Sequence, residues 1–369
     1  MALERLVISC GGTGGHFFPG LSVARSFQDN GGRVLLLLSG IHAESQKEIA
    51  EKSGIRAVAL PPMPHYRRNP LRFIKGFVSG YRKTGTELKN FDPQALLGMG
   101  SFATLPVVLA AVKKHIPLFL HDGNARIGRA NRFFSRWAKF AASAFPAVNS
   151  ADCRCQVMVS GMPLRPELRE FAGLDKTEAL AALNREFNTD FTADKPLILV
   201  TGGSQGAAVF NTILPEAFYS AGSGFQVFHL TGKGKLSDAE KGYAKAGFPV
   251  KIVETTSKMA ELLAAADLVF SRSGGSTAAE LALFGKPSVL VPYPYAAEGH
   301  QSDNARHFAD NGAAKLVENS DLTVSCATEI IREFLLDKEK WLKMGNNMKE
   351  LSIPDAAEKL IDGISRSLD

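Results

Sequence analysis

Residues 268–295 read LVFSRSGGSTAAELALFGKPSVLVPYPY. An apolar run, Leu268-Val269-Phe270, leads into the small-residue turn Ser273-Gly274-Gly275-Ser276. A helical stretch follows to Phe284, Gly285-Lys286-Pro287 stops it, and Ser288-Val289-Leu290-Val291 is the next apolar run. Unbroken apolar strands joined through helices predict a parallel sheet covered on both faces. Residues 96–124, LLGMGSFATLPVVLAAVKKHIPLFLHDGN, repeat the layout of strand, small-residue turn, helix and Pro-led strand. So does the stretch from Leu197-Ile198-Leu199-Val200 through Gly202-Gly203-Ser204-Gln205-Gly206 to a helix spanning Asn211 to Phe218. At the front, Leu6-Val7-Ile8 precedes Gly11-Gly12-Thr13-Gly14-Gly15, and Val34 to Leu38 is a further buried strand. The first helix is expected to begin near Phe18-Pro19, because proline suits a first turn, where its missing N–H is no loss.

The chain therefore reads as a duplication. The predicted fold class is α/β: two Rossmann-like domains joined near Ser160-Gly161-Met162-Pro163, their strand ends facing a shared cleft where ligands bind. The expected bounds are 1–162 and 163–340. Residues 341–369 read as helix interrupted at Pro354, able to pack back on the first domain.

Composition narrows the class. At 369 residues with 45% hydrophobic and 22% charged side chains, the chain is ordinary globular protein with room for two cores, and wholesale disorder is excluded. No apolar run reaches the roughly 18 residues of a spanning helix. Leu105 to Leu120 comes nearest and is broken by Lys113, Lys114 and His115. The opening MALERLVISC has no basic leader before an apolar core, so a cytosolic protein, soluble or peripheral, is expected. Cys10, Cys153, Cys155 and Cys326 are too scattered for a disulfide scaffold, and Cys153-x-Cys155 lacks the second pair a zinc site needs. The net charge of +6 is uneven: residues 1–165 hold 22 Lys+Arg against 9 Asp+Glu, and the remainder 21 against 28. An anionic partner is expected for the front half alone.

The three glycine turns, 11–15, 202–206 and 274–276, each open a helix. Such turns need glycine for geometry, but three of them over two domains also suit a bound diphosphate, met by backbone N–H groups at helix starts. None is followed by Gly-Lys-Ser or Gly-Lys-Thr, and none is a clean G-x-G-x-x-G with an acid about 20 residues on. No Asp-x-Asp occurs, so no metal and no cofactor is expected, and leaving-group charge falls to helix starts and to cations such as Arg165.

GGTGGHFFPGLSVA (11–24), GMGSFATLP (98–106), VTGGSQGAAVFN (200–211) and SRSGGSTAAELALFGKPSVLVPYPYAAEGHQSDNA (271–305) closely resemble the MurG family, in order and over nearly the whole chain. That resemblance implies the two-domain GT-B glycosyltransferase type. It implies inverting transfer of N-acetylglucosamine from UDP-N-acetylglucosamine to the 4-hydroxyl of undecaprenyl-pyrophosphoryl-N-acetylmuramyl pentapeptide. It also implies a peripheral place on the cytoplasmic face of the plasma membrane. His16 is the candidate catalytic residue: a histidine can take a hydroxyl proton, or it can orient the turn. For the donor the resemblance points to Thr13, Gly14, Gly15, Asn124, Arg165, Ser204, Thr256, Gly275, Ser276, Thr277, Glu280 and Gln301. Glu280 would accept from the paired ribose hydroxyls, Gln301 would bond sugar hydroxyls, and Thr256 would face uracil. Phe102 and His121 fall on the acceptor side. The family's His-Glu-Gln-Asn stands here as His121-Asp122-Gly123-Asn124. Another GT-B enzyme on the same donor, a glycolipid synthase or an epimerase, is the alternative.

At 100° per residue, Leu71, Phe73, Ile74, Phe77, Val78 and Tyr81 share one arc, and Arg68, Arg72, Lys75, Arg82 and Lys83 the neighbouring one. This pattern suits a helix lying on an anionic membrane surface, although Gly76 and Gly80 weaken it as a helix. Arg126, Arg129, Arg132, Arg136 and Lys139, beside Phe133, Phe134 and Trp137, are expected to form a second basic face. Nucleic acid is not an expected partner: the aromatic residues lie in apolar arcs rather than as a stacking platform.

Overall fold

The computed structural model describes residues 3–12, 14–63, 69–203 and 205–368. The chain divides into two compact units, Met1–Arg165 with Ile353–Asp369, and Pro166–Ser352.

The first unit is built on seven parallel strands: β1 (Arg5–Gly11), β2 (Arg33–Ser39), β3 (Ala57–Ala59), β4 (Ala95–Gly98), β5 (Leu118–Asp122), β6 (Ala138–Ser143) and β7 (Gln156–Val159). They lie in the order β3-β2-β1-β4-β5-β6-β7. In register, Ile8 faces Leu36 on one side and Leu97 on the other. Side chains alternate across the pleat. Leu6, Ile8, Leu36 and Leu38 therefore fill one core, and Val7, Leu35, Leu37 and Leu96 fill the other. The helix Ala356–Arg366 completes the first of these through Ala357, Leu360 and Ile364.

The second unit repeats the winding with six strands: β8 (Leu197–Thr201), β9 (Gln226–Leu230), β10 (Val250–Val253), β11 (Leu268–Ser271), β12 (Ser288–Leu290) and β13 (Lys315–Leu316). Their order is β10-β9-β8-β11-β12-β13. The segment expected at 341–369 is divided between the units. Trp341 and Met344, on the helix Lys338–Glu350, belong to the core of the second unit, where the Trp341 indole meets Phe334 edge-on at 5.7 Å. Only the chain from Ile353 joins the first unit.

Two helices depart from expectation. The first runs Gly14–Asp29, so Pro19 lies inside it. The proline leaves the Gly15 carbonyl without its helical donor, at a residue open to water. The amphipathic segment forms one helix, Pro70–Phe91, capped by Asn69 accepting from the Arg72 N–H. Gly76 and Gly80 do not weaken it. They are its packing face, buried with Thr84 and Leu88, and a Cβ on Gly76 would stand 2.5 Å from the Pro62 carbonyl oxygen. Of its large apolar side chains, Leu88 and Phe91 are buried, and Leu71 and Ile74 are turned out, 79% and 56% exposed.

Candidate active site

Each sheet reverses its winding beside its first strand, β1 lying between β2 and β4, and β8 between β9 and β11. Loops leaving the two strands at such a reversal diverge to opposite faces and open a crevice at their carboxyl ends. Every small-residue segment singled out in the sequence lies on one of these four loops: 11–15 after β1, 99–102 after β4, 202–206 after β8, and 272–277 after β11. Thr13 and Ser204, like Arg68, lie outside the described residues.

In the first unit, Gly14 and Gly15 open their helix exposed to solvent, and His16 follows half-buried. The His16 ring lies 2.8 Å through Nδ1 from the Met99 carbonyl oxygen. A carbonyl only accepts, so Nδ1 carries the hydrogen and the neutral ring keeps a lone pair on Nε2. Gly100 makes room for this ring. Its φ is +99°, and a Cβ there would come 3.1 Å from both Cε1 and Nδ1 of His16. Ser101 also has positive φ, at +72°, and its hydroxyl accepts from the Ala103 N–H. This turn presents Phe102, 51% exposed, with its ring against Phe133 and Phe134.

His121 is buried on β5. It is 1% exposed, with Nε2 2.9 Å from the Gly161 carbonyl oxygen, and burial lowers its pKa. Its work is inside the unit, tying β5 to the chain that follows β7. Asp122 beside it, noted in the sequence only as a departure from the family motif, has a structural task. Its carboxylate accepts from the Gly128 N–H at 2.8 Å, from Asn131 Nδ2 at 3.0 Å and from Asn124 Nδ2 at 3.2 Å. The aspartate thereby organises the 123–131 loop and orients Asn124.

In the second unit the helix Gly275–Phe284 starts from Gly274, which has no side chain to cap it. The N–H groups of Gly275, Ser276 and Thr277 have no acceptor within the helix, which makes its start an anion site. Glu280 lies half-buried one turn on. Gln301, on the helix His300–Asp310, accepts the Tyr293 N–H at its Oε1, and its Nε2 lies beside Gly274. Arg272, unmarked in the sequence, is buried. Its Nη1 donates to the Val291 and Pro292 carbonyls, and its guanidinium lies over the rings of Phe210 and Tyr293. Burial lowers its pKa, yet an arginine stays charged, so a fixed cation is held beneath Tyr293, whose N–H Gln301 accepts. Its sequence signal was its place in the 271–305 segment of the resemblance, where it was given no role. Thr256 accepts the Lys258 N–H and shapes its own turn. Arg165 is exposed and is the last residue of the first unit before the crossing.

The second basic face does not form as one helical stripe. The helix there spans only Arg129–Phe134. Arg132 donates to the Ile127 carbonyl, Arg136 lies over the Phe133 ring at 4.2 Å, and Lys139 belongs to β6.

Residues 6–143 match the N-terminal domain of glycosyltransferase family 28, and residues 197–360 match its C-terminal domain. The UDP-N-acetylglucosamine–N-acetylmuramyl-(pentapeptide) pyrophosphoryl-undecaprenol N-acetylglucosamine transferase of Desulforamulus reducens is 32% identical, with 99% of each chain covered. An enzyme of that name from Bacillus cereus is 31% identical over 98% of this chain and 99% of its own. Among solved structures, Acinetobacter baumannii MurG superposes with a TM-score of 0.78 at 26% identity, covering 98% of this chain and 99% of its own. The UDP-GlcNAc 2-epimerase of Neisseria meningitidis, solved with UDP-GlcNAc bound, shares the fold at a TM-score of 0.72 and 15% identity, covering 98% of this chain and 100% of its own. Matched in both halves and along nearly its whole length, the chain belongs to glycosyltransferase family 28, among the bacterial MurG transferases.

Proposed function

We propose that this chain transfers N-acetylglucosamine from UDP-N-acetylglucosamine to the 4-hydroxyl of the muramyl sugar of undecaprenyl-pyrophosphoryl-N-acetylmuramyl pentapeptide, a step of peptidoglycan synthesis. The observation that carries this reading is the start of the Gly275–Phe284 helix. N–H groups with no acceptor inside the helix, the Gln301 amide beside Gly274 and the Glu280 carboxylate one turn along the same helix are the groups a nucleotide-sugar requires. The Gly275–Thr277 amides meet the diphosphate, assisted by Ser204 and Arg165. Glu280 accepts the ribose hydroxyls, Thr256 lies at uracil, and Gln301 bonds the sugar, which Asn124, Thr13, Gly14 and Gly15 border. In the transfer the acceptor oxygen bonds to C1 of N-acetylglucosamine from the face opposite UDP. The C1–O bond breaks with its electron pair leaving on UDP, and the hydroxyl proton passes to Nε2 of His16. Phe102 contacts the acceptor. An assay with radiolabelled UDP-N-acetylglucosamine, run with and without the muramyl lipid, tests this. Label appearing in lipid only when the acceptor is present supports the transfer, and turnover of the nucleotide-sugar without acceptor replaces it with epimerase chemistry.

We further propose that the helix Pro70–Phe91 docks the first unit on an anionic membrane surface at the cytoplasmic face, as a peripheral contact. Among the described residues no helix is long and apolar enough to cross a membrane. The small residues of this helix face the protein, so Leu71, Ile74 and Val78 are left in water beside exposed Arg72, Lys75 and Arg82. Each basic residue near an anionic surface contributes about 1 kcal/mol, and the apolar side chains add to it. Co-sedimentation with vesicles checks this. Binding is expected to rise with anionic lipid and fall with salt, and Leu71→Glu with Ile74→Glu is expected to lower it more than tenfold, by roughly 1.5–3 kcal/mol for each lost apolar side chain. Binding indifferent to lipid charge and salt would refute the electrostatic part.

A further inference from the structure

Beneath the glycine turn of the second unit runs a buried polar chain that the transfer chemistry does not use. It begins at the Thr231 carbonyl, which accepts from Asn211 Nδ2 at 3.2 Å. Because a carbonyl only accepts, the Asn211 amide is held one way round and its Oδ1 faces His229 Nε2, 3.0 Å away. Nε2 must then donate. The imidazole is fully buried on β9, and burial holds its pKa down to about 3, so it is neutral and its Nδ1 is bare. Nδ1 accepts from the Tyr243 hydroxyl at 3.0 Å. Four groups thus admit a single arrangement of protons.

The chain ends against the turn. Gly206 has a φ of +65°, and a Cβ on it would fall 1.9 Å from the Thr231 carbonyl oxygen. A Cβ on the next residue, Gly232, would fall 2.6 Å from both the Gln205 oxygen and the Gly206 nitrogen. The loop after β9 and the loop after β8 are therefore stacked backbone on backbone. Asn211 is the side chain that fixes the carbonyl at their contact, and it is itself only 1% exposed.

We infer that His229 is a positioning residue for the turn containing Gly202, Gly203 and Gly206, and through that turn for the donor diphosphate, acting by way of Asn211 and Thr231. The inference rests on the reading of this turn as part of the donor site. UDP binding by titration calorimetry, donor and acceptor KM, and the melting temperature test it in the full chain. His229→Gln keeps an N–H near the place of Nε2, His229→Asn is polar but too short to reach Asn211, and Tyr243→Phe removes only the hydroxyl that holds the tautomer. His229→Asn is expected to raise the UDP Kd and the donor KM roughly tenfold while leaving the acceptor KM unchanged. His229→Gln is expected to restore both to within about threefold, with Tyr243→Phe in between. Folded His229→Asn and Tyr243→Phe variants that bind UDP as the unsubstituted protein does would overturn the inference and leave the donor site standing. So would effects that follow the melting temperature and touch both KM values alike. An unsubstituted chain that does not bind UDP would overturn the donor site and this inference with it.

Discussion

In the first unit the helix Pro70–Phe91 buries Gly76, Gly80 and Thr84 and leaves Leu71 and Ile74 in water. In the second unit the helix Gly275–Phe284 buries Leu281, Leu283 and Phe284 and keeps its glycine for the first turn. Both helices lie on sheets wound in the same order. What differs is which side chains the core takes. A helix that buries its large residues leaves only its end free for a ligand. Where the Pro70–Phe91 helix buries its small residues it comes close to Pro62 and Pro106 and leaves Leu71, Ile74 and Val78 outside, an apolar stripe that a protein in water gains nothing by showing.

The contrast can be pressed hardest with acid. His229 titrates near 6.5 when unfolded and about 3 when folded. Between those values the unfolded chain holds the extra proton, so the stability of the second unit is intact above about pH 6.5 and falls as pH drops toward 3. A shift of this size is worth on the order of 5 kcal/mol in full, of which about 3 kcal/mol falls between pH 6.5 and 4. The two tryptophans divide the readout, Trp341 lying in the second unit and Trp137 in the first. Urea melts followed at Trp341 in a Trp137→Phe background are expected to lose stability from pH 7 to 4, and His229→Gln is expected to flatten that loss. A Trp341 transition indifferent to pH would show that the buried imidazole carries no such linkage. Next in size is Glu280→Ala, expected to weaken donor binding by ~1.5–3 kcal/mol through loss of a charged acceptor for two hydroxyls. A donor Kd that did not move would refute the ribose assignment. The last test stays within one helix. Gly76→Leu is expected to destabilise the first unit by about 1–3 kcal/mol through overpacking on Pro62. Gly85→Ala, where a Cβ would meet nothing within 4 Å, is expected to stabilise it by about 0.5–1 kcal/mol. Both are read at Trp137.

The duplication and most central strands were legible because those strands are buried on both faces. Leu6-Val7-Ile8 and Leu197–Val200 can only be continuous apolar runs. The edge strands were not. Every residue of β7 is at least partly exposed and β13 has two residues, so neither carries a periodic signal. The site was legible where glycine is needed at a strand end, as at 11–15, 202–206 and 274–276. It was illegible where a polar residue acts by being buried. Nothing in the order of residues says that Asp122, Arg272 or His229 is buried, since their partners are backbone groups and side chains brought in from elsewhere in the chain. The same limit holds for His121, whose bond to Gly161, 40 residues on, no motif announces.

The return of the last helix to the first sheet has a consequence for synthesis. Residues 166–352 emerge from the ribosome as one uninterrupted stretch and can complete their own unit as they appear. The first unit, though translated earlier, lacks Ala357, Leu360 and Ile364 until residues 353–364 have been made. Released chains truncated at residue 352 should therefore hold a finished back half and a front half still open to chaperones and proteases, the reverse of the usual order in which amino-terminal domains fold first.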